Sequence, residues 1–372
     1  MNSLQFSGGE RMLESAAEHW RQSGLECVVL QNSDFIGPFS ANLLAEGWAI
    51  HTYKIDRNKF QNIVQLVQIF RKLKPDVVHA HSQALSWQVS IAARWDSIPN
   101  LHTIHHFFPF EGYLRLRTIC ERFFMRKLGT AMVTNSLGNQ LNELIAFRNP
   151  TLLIPNWRGK IEFEKKVAPI LPKVDLNLLS VGTCSEYKNH NLIIQSLAEL
   201  RLSGIDAHYT HIGDVNELLS SEQELAKSLE VFEFCTFLSG VKFLGNYLKE
   251  ADILIQPSRE EGFSLTIAEA LTVGTKVIIS NRLSHNLAFG GRSGVEMIEL
   301  DVGALTDALK EFIFKREQEA MPAIELQDNF SPALGAFEYL AIYRLLTRGK
   351  RNWKESLSNL TMGRDRGILG RH

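Results

Sequence analysis

The sequence alternates between short β-branched runs and amphipathic segments, and this rhythm constrains the fold more than any other feature. In the first half, strands are predicted over Glu26–Gln31, Ala49–Tyr53, Asp76–Ala80, Leu101–Ile104, Ala131–Thr134 and Leu152–Ile154. Helices are predicted between them, over Ala41–Glu46, Lys59–Leu73, Leu85–Arg94, Tyr113–Leu128 and Leu137–Ala146. Such alternation indicates right-handed βαβ units on a parallel sheet.

A proline-bearing stretch over Asn156–Asp175 interrupts the rhythm, as a connection between domains does. After it, strands are predicted over Leu178–Gly182, His208–Ile212, Lys242–Leu244, Asp252–Ile255 and Lys276–Ser280. Helices are predicted over Asn189–Leu202, Asn216–Leu229, Tyr247–Ala251, Leu265–Val273, Asp301–Lys315 and Pro332–Leu346. A chain of 372 residues suits two such α/β domains.

The predicted domain boundaries follow from these breaks. Residues 1–157 form a first Rossmann-like domain, 158–176 a linker and 177–330 a second Rossmann-like domain. A terminal helix over 331–347 is expected to cross back to the first domain, and 348–372 form a polar, basic tail.

The start of the first domain leaves two alternatives open. The pair Gly8–Gly9 opens a helix over Glu10–Ser23, a position at which a doubly wound domain has just completed its central first strand. The preceding Met1–Phe6 is short and polar for such a strand. Either a marginal strand lies there, or the chain starts downstream of its true beginning and upstream codons encode the missing strand.

Two carboxylates follow a buried strand at Ile253–Ile255. Glu261 lies in the loop after this strand, and Glu269 lies in the helix that begins near Leu265. In an open α/β sheet ligands bind at the carboxyl ends of strands, and a helix N-terminus attracts a diphosphate. Carboxylates beside that point can accept hydrogen bonds from sugar hydroxyls. For Glu269 an equal alternative is a capping box that starts at Thr266.

Composition excludes several functions. The apolar fraction of 45% and the charged fraction of 22% are typical of a soluble globular protein, and a net charge of −1 gives no general attraction to nucleic acid. No apolar run is long enough to span a membrane, and no secretory signal is present at the start. The four cysteines form no Cys-x-x-Cys pair, so no zinc site is expected and the protein is expected to be cytoplasmic.

Several motifs, taken in order, resemble glycosyltransferase family 4. The segment from Pro257 to Ile278 is similar to the family signature, with Glu261 and Glu269 on its two glutamate positions. Pro75–His81, Leu101–His105, Ile154–Asn156, Val181–His190, Ile212–Asp214 and Phe243–Gly245 agree as well. The resemblance runs from about Ser7 to Ser280 and depends on the ordered set. It implies a GT-B fold, in which two Rossmann-like domains face each other across a cleft.

The resemblance also implies roles for single residues in the second domain. Glu269 would hold the donor ribose, and Glu261 would bind the transferred sugar with help from the loop of Gly262, Phe263 and Ser264. Lys188, which follows Gly182 and Thr183, would bind the diphosphate and neutralise the leaving group.

In the first domain, His105 would reach the sugar, with His106 as its competitor, and Gly8 and Gly9 would let backbone approach the phosphates or the acceptor. His79 and His81 are expected to be one packed and one exposed histidine without a functional role.

The sequence departs from the family pattern at two positions. Thr183 stands where an arginine is usual, so one phosphate-binding cation is missing unless Arg259, Arg282 or Arg11 replaces it. Ser264 stands where glycine is usual, and a serine still permits a helix N-cap.

The resemblance implies a retaining, metal-independent transfer of a hexosyl-type sugar from a nucleoside-diphosphate donor, UDP- or GDP-linked, to a hydroxyl acceptor. By analogy the acceptor is a saccharide or lipid-linked saccharide in bacterial surface polysaccharide synthesis, which includes lipopolysaccharide, capsule and exopolysaccharide. The alternatives are a catalytically impaired sugar-nucleotide-binding or scaffold protein, and a nucleotide-sugar epimerase.

A basic, aromatic segment over Tyr113–Lys127 has two interpretations. It could lie on anionic lipid as a peripheral membrane contact at the inner face of the membrane. Alternatively, it covers the sheet and exposes a solvated basic face. Its five basic residues are Arg115, Arg117, Arg122, Arg126 and Lys127.

Overall fold

In a computed structural model, the chain divides into two α/β units. The structure describes residues 1, 4, 8–33, 36–54, 56–106, 110–164, 168–213, 217–318 and 330–348. The first unit combines residues 1–159 with the chain from Phe330 onward, and the second comprises residues 160–329. The proposed tail after residue 348 lies outside the described residues. The stretch expected to be a linker belongs to the second unit from Lys160 onward.

Among its described residues, the first unit contains six short parallel strands: β1 (Val28–Asn32), β2 (Ala49–Tyr53), β3 (Val78–Ala80), β4 (Asn100–Ile104), β5 (Ala131–Thr134) and β6 (Leu152–Leu153). They form a two-stranded sheet, β1-β2, and a four-stranded sheet in the order β3-β4-β5-β6. The helices are α1 (Gly8–Gln22), α2 (Ser40–Ala45), α3 (Lys59–Leu73), α4 (Ser86–Trp95), α5 (Gly112–Leu128) and α6 (Leu137–Phe147).

Met1 and Leu4 lie beside β1. The backbone nitrogen of Met1 donates to the Leu30 carbonyl at 2.8 Å, and the Met1 carbonyl accepts from Asn32 at 2.9 Å. Leu4 is fully buried, and its backbone nitrogen donates to the Gln31 side chain at 3.3 Å. These contacts agree with a marginal strand at this position, although the described residues before β1 carry no assigned strand.

The last helix, α13 (Pro332–Arg348), packs on α1 within the first unit. The Trp20 indole donates to the Ala336 carbonyl at 3.0 Å, and the buried Trp157 and Tyr339 rings make an edge contact at 5.8 Å between centroids. The Trp157 indole in turn donates to the Met12 carbonyl at 3.0 Å. These aromatic side chains join the end of the chain to its first helix, so α13 is part of the core of this unit.

The described part of the second unit contains a parallel sheet of six strands in the order β12-β11-β10-β7-β8-β9. The strands are β7 (Leu176–Val181), β8 (Ala207–Ile212), β9 (Cys235–Leu238), β10 (Ile253–Gln256), β11 (Lys276–Ser280) and β12 (Val295–Ile298). The helices are α7 (Asn191–Leu202), α8 (Glu217–Ser228), α9 (Leu244–Glu250), α10 (Leu265–Val273), α11 (Leu283–Phe289) and α12 (Val302–Gln318). Buried aliphatic residues of the strands, α7 and α12 form its core.

Two details of the second unit correct the sequence-based prediction. The strand expected over Lys242–Leu244 is wrong: Cys235–Leu238 forms the edge strand beside β8, and α9 already begins at Leu244. The apolar run of residues 235–238 pairs with β8, which a short local pattern could not reveal. The helix α11 and the strand β12 were not predicted at all.

Candidate functional site

The second sheet reverses its strand order between β7 and β10. From β7 the chain proceeds outward through β8 to β9, whereas β10 lies on the other side of β7 and leads outward to β11 and β12. Loops at the carboxyl ends of β7 and β10 therefore diverge to opposite faces and leave a crevice between them, which is the usual ligand site of such sheets. Lys188 follows β7 and Glu261 follows β10, so both predicted site residues lie at this point.

Gly182 and Lys188 are in contact in the loop after β7. Gly182 has a φ of +147°, in the region that favours glycine, and a Cβ atom there would lie 3.4 Å from Cε of Lys188. The Lys188 backbone nitrogen donates to the Ser185 carbonyl at 3.0 Å, which turns the loop back on itself. The glycine thus leaves room for the lysine stem, and the loop holds the ammonium group over the end of β7.

Lys188 and Glu261 form an ion pair. The Lys188 ammonium donates to Oε2 of Glu261, and both side chains are largely buried, with 23% and 17% exposed. Glu261 also lies 3.5 Å from the Ser258 hydroxyl. The structure therefore brings together the cation predicted to bind a diphosphate and the carboxylate predicted to bind a sugar.

Glu269 is fully buried in the second turn of α10. The helix begins at Leu265 with Ser264 as its N-cap residue, so Thr266 lies inside the first turn. The alternative that Thr266 and Glu269 form a capping box is therefore wrong, because that motif needs Thr266 outside the helix. Glu269 therefore lies inside the helix that follows the Glu261 loop and not at its cap.

The loop between Glu261 and α10 is buried. Gly262, Phe263 and Ser264 are all inaccessible, and the Phe263 ring packs on Phe289 at 5.2 Å between centroids. Ser264 occupies the N-cap position, but its hydroxyl makes no capping hydrogen bond. The expectation that serine permits an N-cap here is confirmed for the position. The backbone N–H groups of Phe263 and Ser264 stay the donors predicted for the sugar.

Thr183 is exposed, and an arginine approaches the same loop from another strand. The Arg259 backbone nitrogen donates to the Tyr187 carbonyl at 2.7 Å, and its guanidinium donates to the Asn189 side chain at 3.0 Å. Of the three arginines named as replacements for the missing cation, Arg259 is the one that hydrogen-bonds to the Lys188 loop. Arg282 instead lies near Glu260. Burial raises the pKa of the Glu260 carboxyl, and the Arg282 charge opposes part of this shift.

His285 was not identified from the sequence, but it belongs to this site. It is 1% exposed, its Nδ1 lies 3.0 Å from the Ser280 hydroxyl, and its Nε2 is buried without a hydrogen-bond partner among the described residues. Burial lowers its pKa to about 4, while the nearby Glu261 charge opposes this shift. His285 lies in α11, a helix without a sequence signal, so only the tertiary fold could reveal it.

The predicted site residues of the first unit lie at the carboxyl ends of β3 and β4. Nε2 of His105 lies 2.9 Å from Nδ1 of His81, and the two rings stack. His79 contacts the Thr103 and Tyr343 hydroxyls at 2.7 and 2.8 Å. Neither His79 nor His81 is exposed, so the expectation of one exposed histidine is wrong. His106 is the exposed member of its pair, which leaves His105 as the inward residue.

Gly8 and Gly9 are the first two residues of α1, so the helix begins two residues before the predicted start at Glu10. A Cβ atom at Gly9 would meet no other atom within 4 Å. The backbone here is open to a ligand, although no described contact requires glycine at this residue.

The basic helix α5 presents a mixed surface. Exposed apolar side chains accompany its arginines: Tyr113 is 77% exposed, Leu116 60% and Phe123 54%. Arg122, counted with the basic face in the sequence, is fully buried and pairs with Glu143 at 3.0 Å. Its inclusion in the exposed basic set is therefore wrong. The described helices include none that is long and apolar enough to cross a membrane.

Solved structures define the class of this fold. The chain is similar to a glycosyltransferase from Rickettsia africae, with a TM-score of 0.78 and 19% identity over 93% of this chain and 97% of that one. It is also similar to the Anabaena protein Alr3699/HepE in complex with UDP-glucose, with a TM-score of 0.68 and 16% identity over 96% of this chain and 100% of that one. The two Rossmann-like units therefore have the GT-B fold of glycosyltransferases.

The sequence places the chain within this class. A model described as Glycosyltransferase Family 4 matches residues 6–157, and a model described as Glycosyl transferases group 1 matches residues 162–321. An Escherichia coli UDP-Gal:alpha-D-GlcNAc-diphosphoundecaprenol alpha-1,3-galactosyltransferase is 25% identical over 67% of this chain and 69% of its own length. The chain belongs to glycosyltransferase family 4 and is a hexosyl-type glycosyltransferase.

Proposed function

We propose that the chain transfers a sugar from a UDP- or GDP-linked donor, with retention of configuration, to a hydroxyl of a saccharide or lipid-linked saccharide. The observation that carries this proposal is the meeting of Lys188, Glu261 and the start of α10 where the strand order of the second sheet reverses. A nucleotide sugar presents a diphosphate to a cation and a helix N-terminus, and it presents hydroxyls to carboxylates.

The proposed chemistry assigns bond breaking to electrostatic stabilisation. Lys188, with the N–H groups that open α10, would take up the charge that grows on the departing diphosphate. The acceptor hydroxyl would attack from the same face and give its proton to a leaving-group oxygen. In this proposal no catalytic metal is needed, so added Mg²⁺ or Mn²⁺ is expected to leave turnover unchanged.

The protein is also proposed to act in bacterial surface polysaccharide synthesis, whether of lipopolysaccharide, capsule or exopolysaccharide. The similar Escherichia coli enzyme is named for a diphosphoundecaprenol-linked acceptor, which supports a lipid-linked saccharide as the acceptor class. An acceptor of this kind would place the work of the enzyme at the inner face of a membrane.

Nucleotide binding tests the proposed donor. Thermal unfolding is measured with UDP, GDP and a panel of their sugars, since a ligand at 100 times its dissociation constant adds about 2.7 kcal/mol of stability. Glu269→Gln is expected to weaken nucleotide binding by about 1.5–3 kcal/mol, because charge-assisted hydrogen bonds to the ribose are lost. Glu299→Gln, an exposed carboxylate beside Asn281, is the matched control. Equal nucleotide affinity of both variants and the parent would contradict the assignment.

Turnover separates the proposed transferase from its alternatives. Slow donor hydrolysis, or transfer to an acceptor, agrees with the proposal. Nucleotide binding without any turnover would favour an impaired sugar-nucleotide-binding or scaffold protein, to which the loss of arginine at Thr183 would contribute. Interconversion of the donor sugar without nucleotide release would identify an epimerase.

Arg259 is proposed to replace the cation missing at Thr183. It is hydrogen-bonded to the Lys188 loop through both its backbone and its guanidinium. Arg259→Ala is therefore expected to reduce turnover, whereas Arg292→Ala, in the turn after α11, should not. If Thr183→Arg restored turnover to the Arg259→Ala variant, the replacement would be established; unchanged turnover in Arg259→Ala would reject it.

The α5 surface supports a peripheral membrane contact as part of the same proposal. Exposed aromatic and aliphatic side chains beside arginines can enter the headgroup region of anionic lipid. Binding to anionic vesicles is expected to fall as salt rises, because exposed charges are screened within about 10 Å at 0.1 M. Leu116→Glu should weaken binding, whereas Leu202→Glu, 83% exposed on the other unit, should not. Equal binding to neutral and anionic vesicles would reject the contact.

A further inference from the structure

Four side chains able to ligate a metal converge beneath the Lys188 loop. Cys184 comes from the start of that loop, His190 from its end, His211 from β8 and Glu222 from α8. One ligand atom from each lies within 4.8 Å of all the others. The four residues are between 1% and 5% exposed. Only one of the four ligands is a cysteine, so the absence of a Cys-x-x-Cys pair gives no information about this cluster.

The distances within the cluster are close to those between ligands of one small ion. Sγ of Cys184 lies 3.4 Å from Nε2 of His211, and Nδ1 of His190 lies 3.1 Å from Oε1 of Glu222. Tetrahedral zinc with bonds of about 2.0–2.3 Å requires ligand separations of roughly 3.3–3.6 Å. The remaining separations, of at most 4.8 Å, need small side-chain movements to close on the same centre.

Two further observations point to a ligand. The Glu222 carboxylate faces the His190 ring and the Cys184 thiol, and its buried Oε2 has no N–H or O–H donor among the described residues. His211 is oriented by a relay in which its Nδ1 contacts the Ser180 hydroxyl at 2.9 Å and that hydroxyl contacts the Tyr209 hydroxyl at 2.6 Å. Such outer contacts are typical of metal-bound histidine, since they direct the other ring nitrogen toward the ion.

We propose that Cys184, His190, His211 and Glu222 bind a structural Zn²⁺ ion. A thiolate, two imidazoles and a carboxylate match the ligand preferences of zinc, whereas Mg²⁺ and Ca²⁺ prefer oxygen alone. Four protein ligands complete a tetrahedron and leave no position for substrate, so the ion would have a structural role. It is therefore separate from the metal-independent transfer proposed above.

The consequence concerns the position of Lys188. Cys184 and His190 lie at the two ends of the loop that carries this lysine, so one bound ion would link both ends of the loop to β8 and α8. Between these two residues, Asn189 has a φ of +57°, a backbone conformation that is uncommon for residues other than glycine. A metal clamp would hold this short loop in place and keep the ammonium beside Glu261.

Metal analysis of the full chain tests the proposal without any assay of activity. The protein, purified without an affinity tag that binds metal, is reduced, incubated with Zn²⁺, dialysed and measured by elemental mass spectrometry. We expect one equivalent of zinc in the parent protein and its loss in Cys184→Ser and His211→Ala. Cys235→Ser, a part-buried thiol outside the cluster, is the matched control and should keep the ion.

Cobalt substitution keeps the test decisive if a variant fails to fold. In the parent protein Co²⁺ should give a thiolate charge-transfer band and the visible bands of tetrahedral coordination, and Zn²⁺ should displace it. Ser180→Ala should keep these bands but weaken zinc affinity about 10- to 100-fold, because it removes an outer-shell contact. Zinc below a tenth of an equivalent in the reduced parent, with no cobalt bands, would overturn the proposal.

Discussion

Lys188 and Glu261 present opposite charges to the same crevice of the second unit and form an ion pair with each other. A diphosphate would compete for the ammonium group and would release the carboxylate toward the sugar hydroxyls. Glu269, buried in α10, is the carboxylate proposed to bind the ribose. At the scale of single residues, a bound nucleotide sugar would therefore replace the Lys188–Glu261 ion pair with contacts from each residue to the donor.

Removal of the Lys188 ammonium should affect the transition state more than the ground state. Lys188→Ala is expected to lower kcat more than it weakens donor binding, because negative charge on the leaving group grows as the bond breaks. Steady-state kinetics and nucleotide titration measure the two effects. Lys249→Ala, an exposed lysine on α9, is the control. Normal kcat and normal affinity in the Lys188 variant would place the diphosphate elsewhere.

The buried ion pair of α5 and α6 should matter for stability. Arg122 and Glu143 are at most 1% exposed, and the same carboxylate accepts from Asn149 at 2.6 Å. Arg122→Met is expected to destabilise the first unit by about 3–5 kcal/mol, because it leaves a buried carboxylate without its cation. Urea denaturation measures the loss. Arg117→Met breaks an exposed pair on the same helix and should cost less than about 1 kcal/mol. Equal losses in the two variants would contradict this account.

At the scale of helices and strands, some features could be predicted from the local sequence pattern, and others depended on tertiary contacts. The alternation of strands and helices was predictable from the sequence. The pairing of Lys188 with Glu261 depends on β7 lying beside β10, an adjacency that only the structure gave. His285 and the cluster around Cys184 were not predictable either, since their partners come from distant elements and leave no spacing in the sequence. Cys235–Leu238 was missed because four residues are too few to show a period.

The histidines at the ends of β3 and β4 should make the first unit sensitive to acid. Burial and the Arg122 charge lower the pKa of His102 to about 3, and burial with the nearby His106 lowers that of His105 to about 4. Burial and the neighbouring histidines lower the pKa values of His79 and His81 as well. In the unfolded chain such groups titrate near pH 6.5, so the unfolded state binds protons first as the pH falls.

Stability should therefore be complete at neutral pH and decline as the pH falls from about 6.5 toward 4. The free energy of unfolding is measured in urea at neutral pH and at about pH 5. His102→Gln should reduce the decline, while a substitution at the exposed His51 should leave it unchanged. A free energy of unfolding that stays constant over this range would show that the histidines protonate without unfolding.

Two helical glycines should respond to alanine in opposite directions. A Cβ atom on Gly335 of α13 would lie 1.8 Å from the Trp157 ring, so Gly335→Ala must displace the helix or the indole. We expect a loss of about 1–3 kcal/mol. Gly9 of α1 has open space, and Gly9→Ala should stabilise the unit by up to about 1 kcal/mol. Thermal denaturation compares them, and a stable Gly335→Ala protein would show that α13 is not fixed there.

At the scale of the whole molecule, the chain leaves the first unit, builds the second and returns. Residues 160–329 are continuous, whereas the first unit needs both the segment before residue 160 and α13. Its aromatic core, in which Trp20 and Trp157 contact α13, is incomplete without the end of the chain. The two units therefore depend differently on an intact polypeptide.

Separated fragments should show this difference. A fragment of residues 160–329 is expected to unfold cooperatively in urea, because its sheet and its core are complete. A fragment of residues 1–159 should expose apolar surface to a fluorescent dye, and a peptide of α13 should reduce that signal. Cooperative unfolding of residues 1–159 alone would show that α13 is dispensable.

Because the chain returns to the first unit through α13, the order of synthesis determines when that unit can finish folding. A ribosome that has just completed Trp157 must still add the 170 residues from Lys160 to Asn329 before it reaches α13. At about 5–20 residues per second this takes roughly 10–30 s, during which the nascent first unit lacks its closing helix. The second unit can finish folding within that interval. The first part of the chain to be synthesised would thus be the last to become native, with its tryptophan-rich face available to chaperones in the meantime.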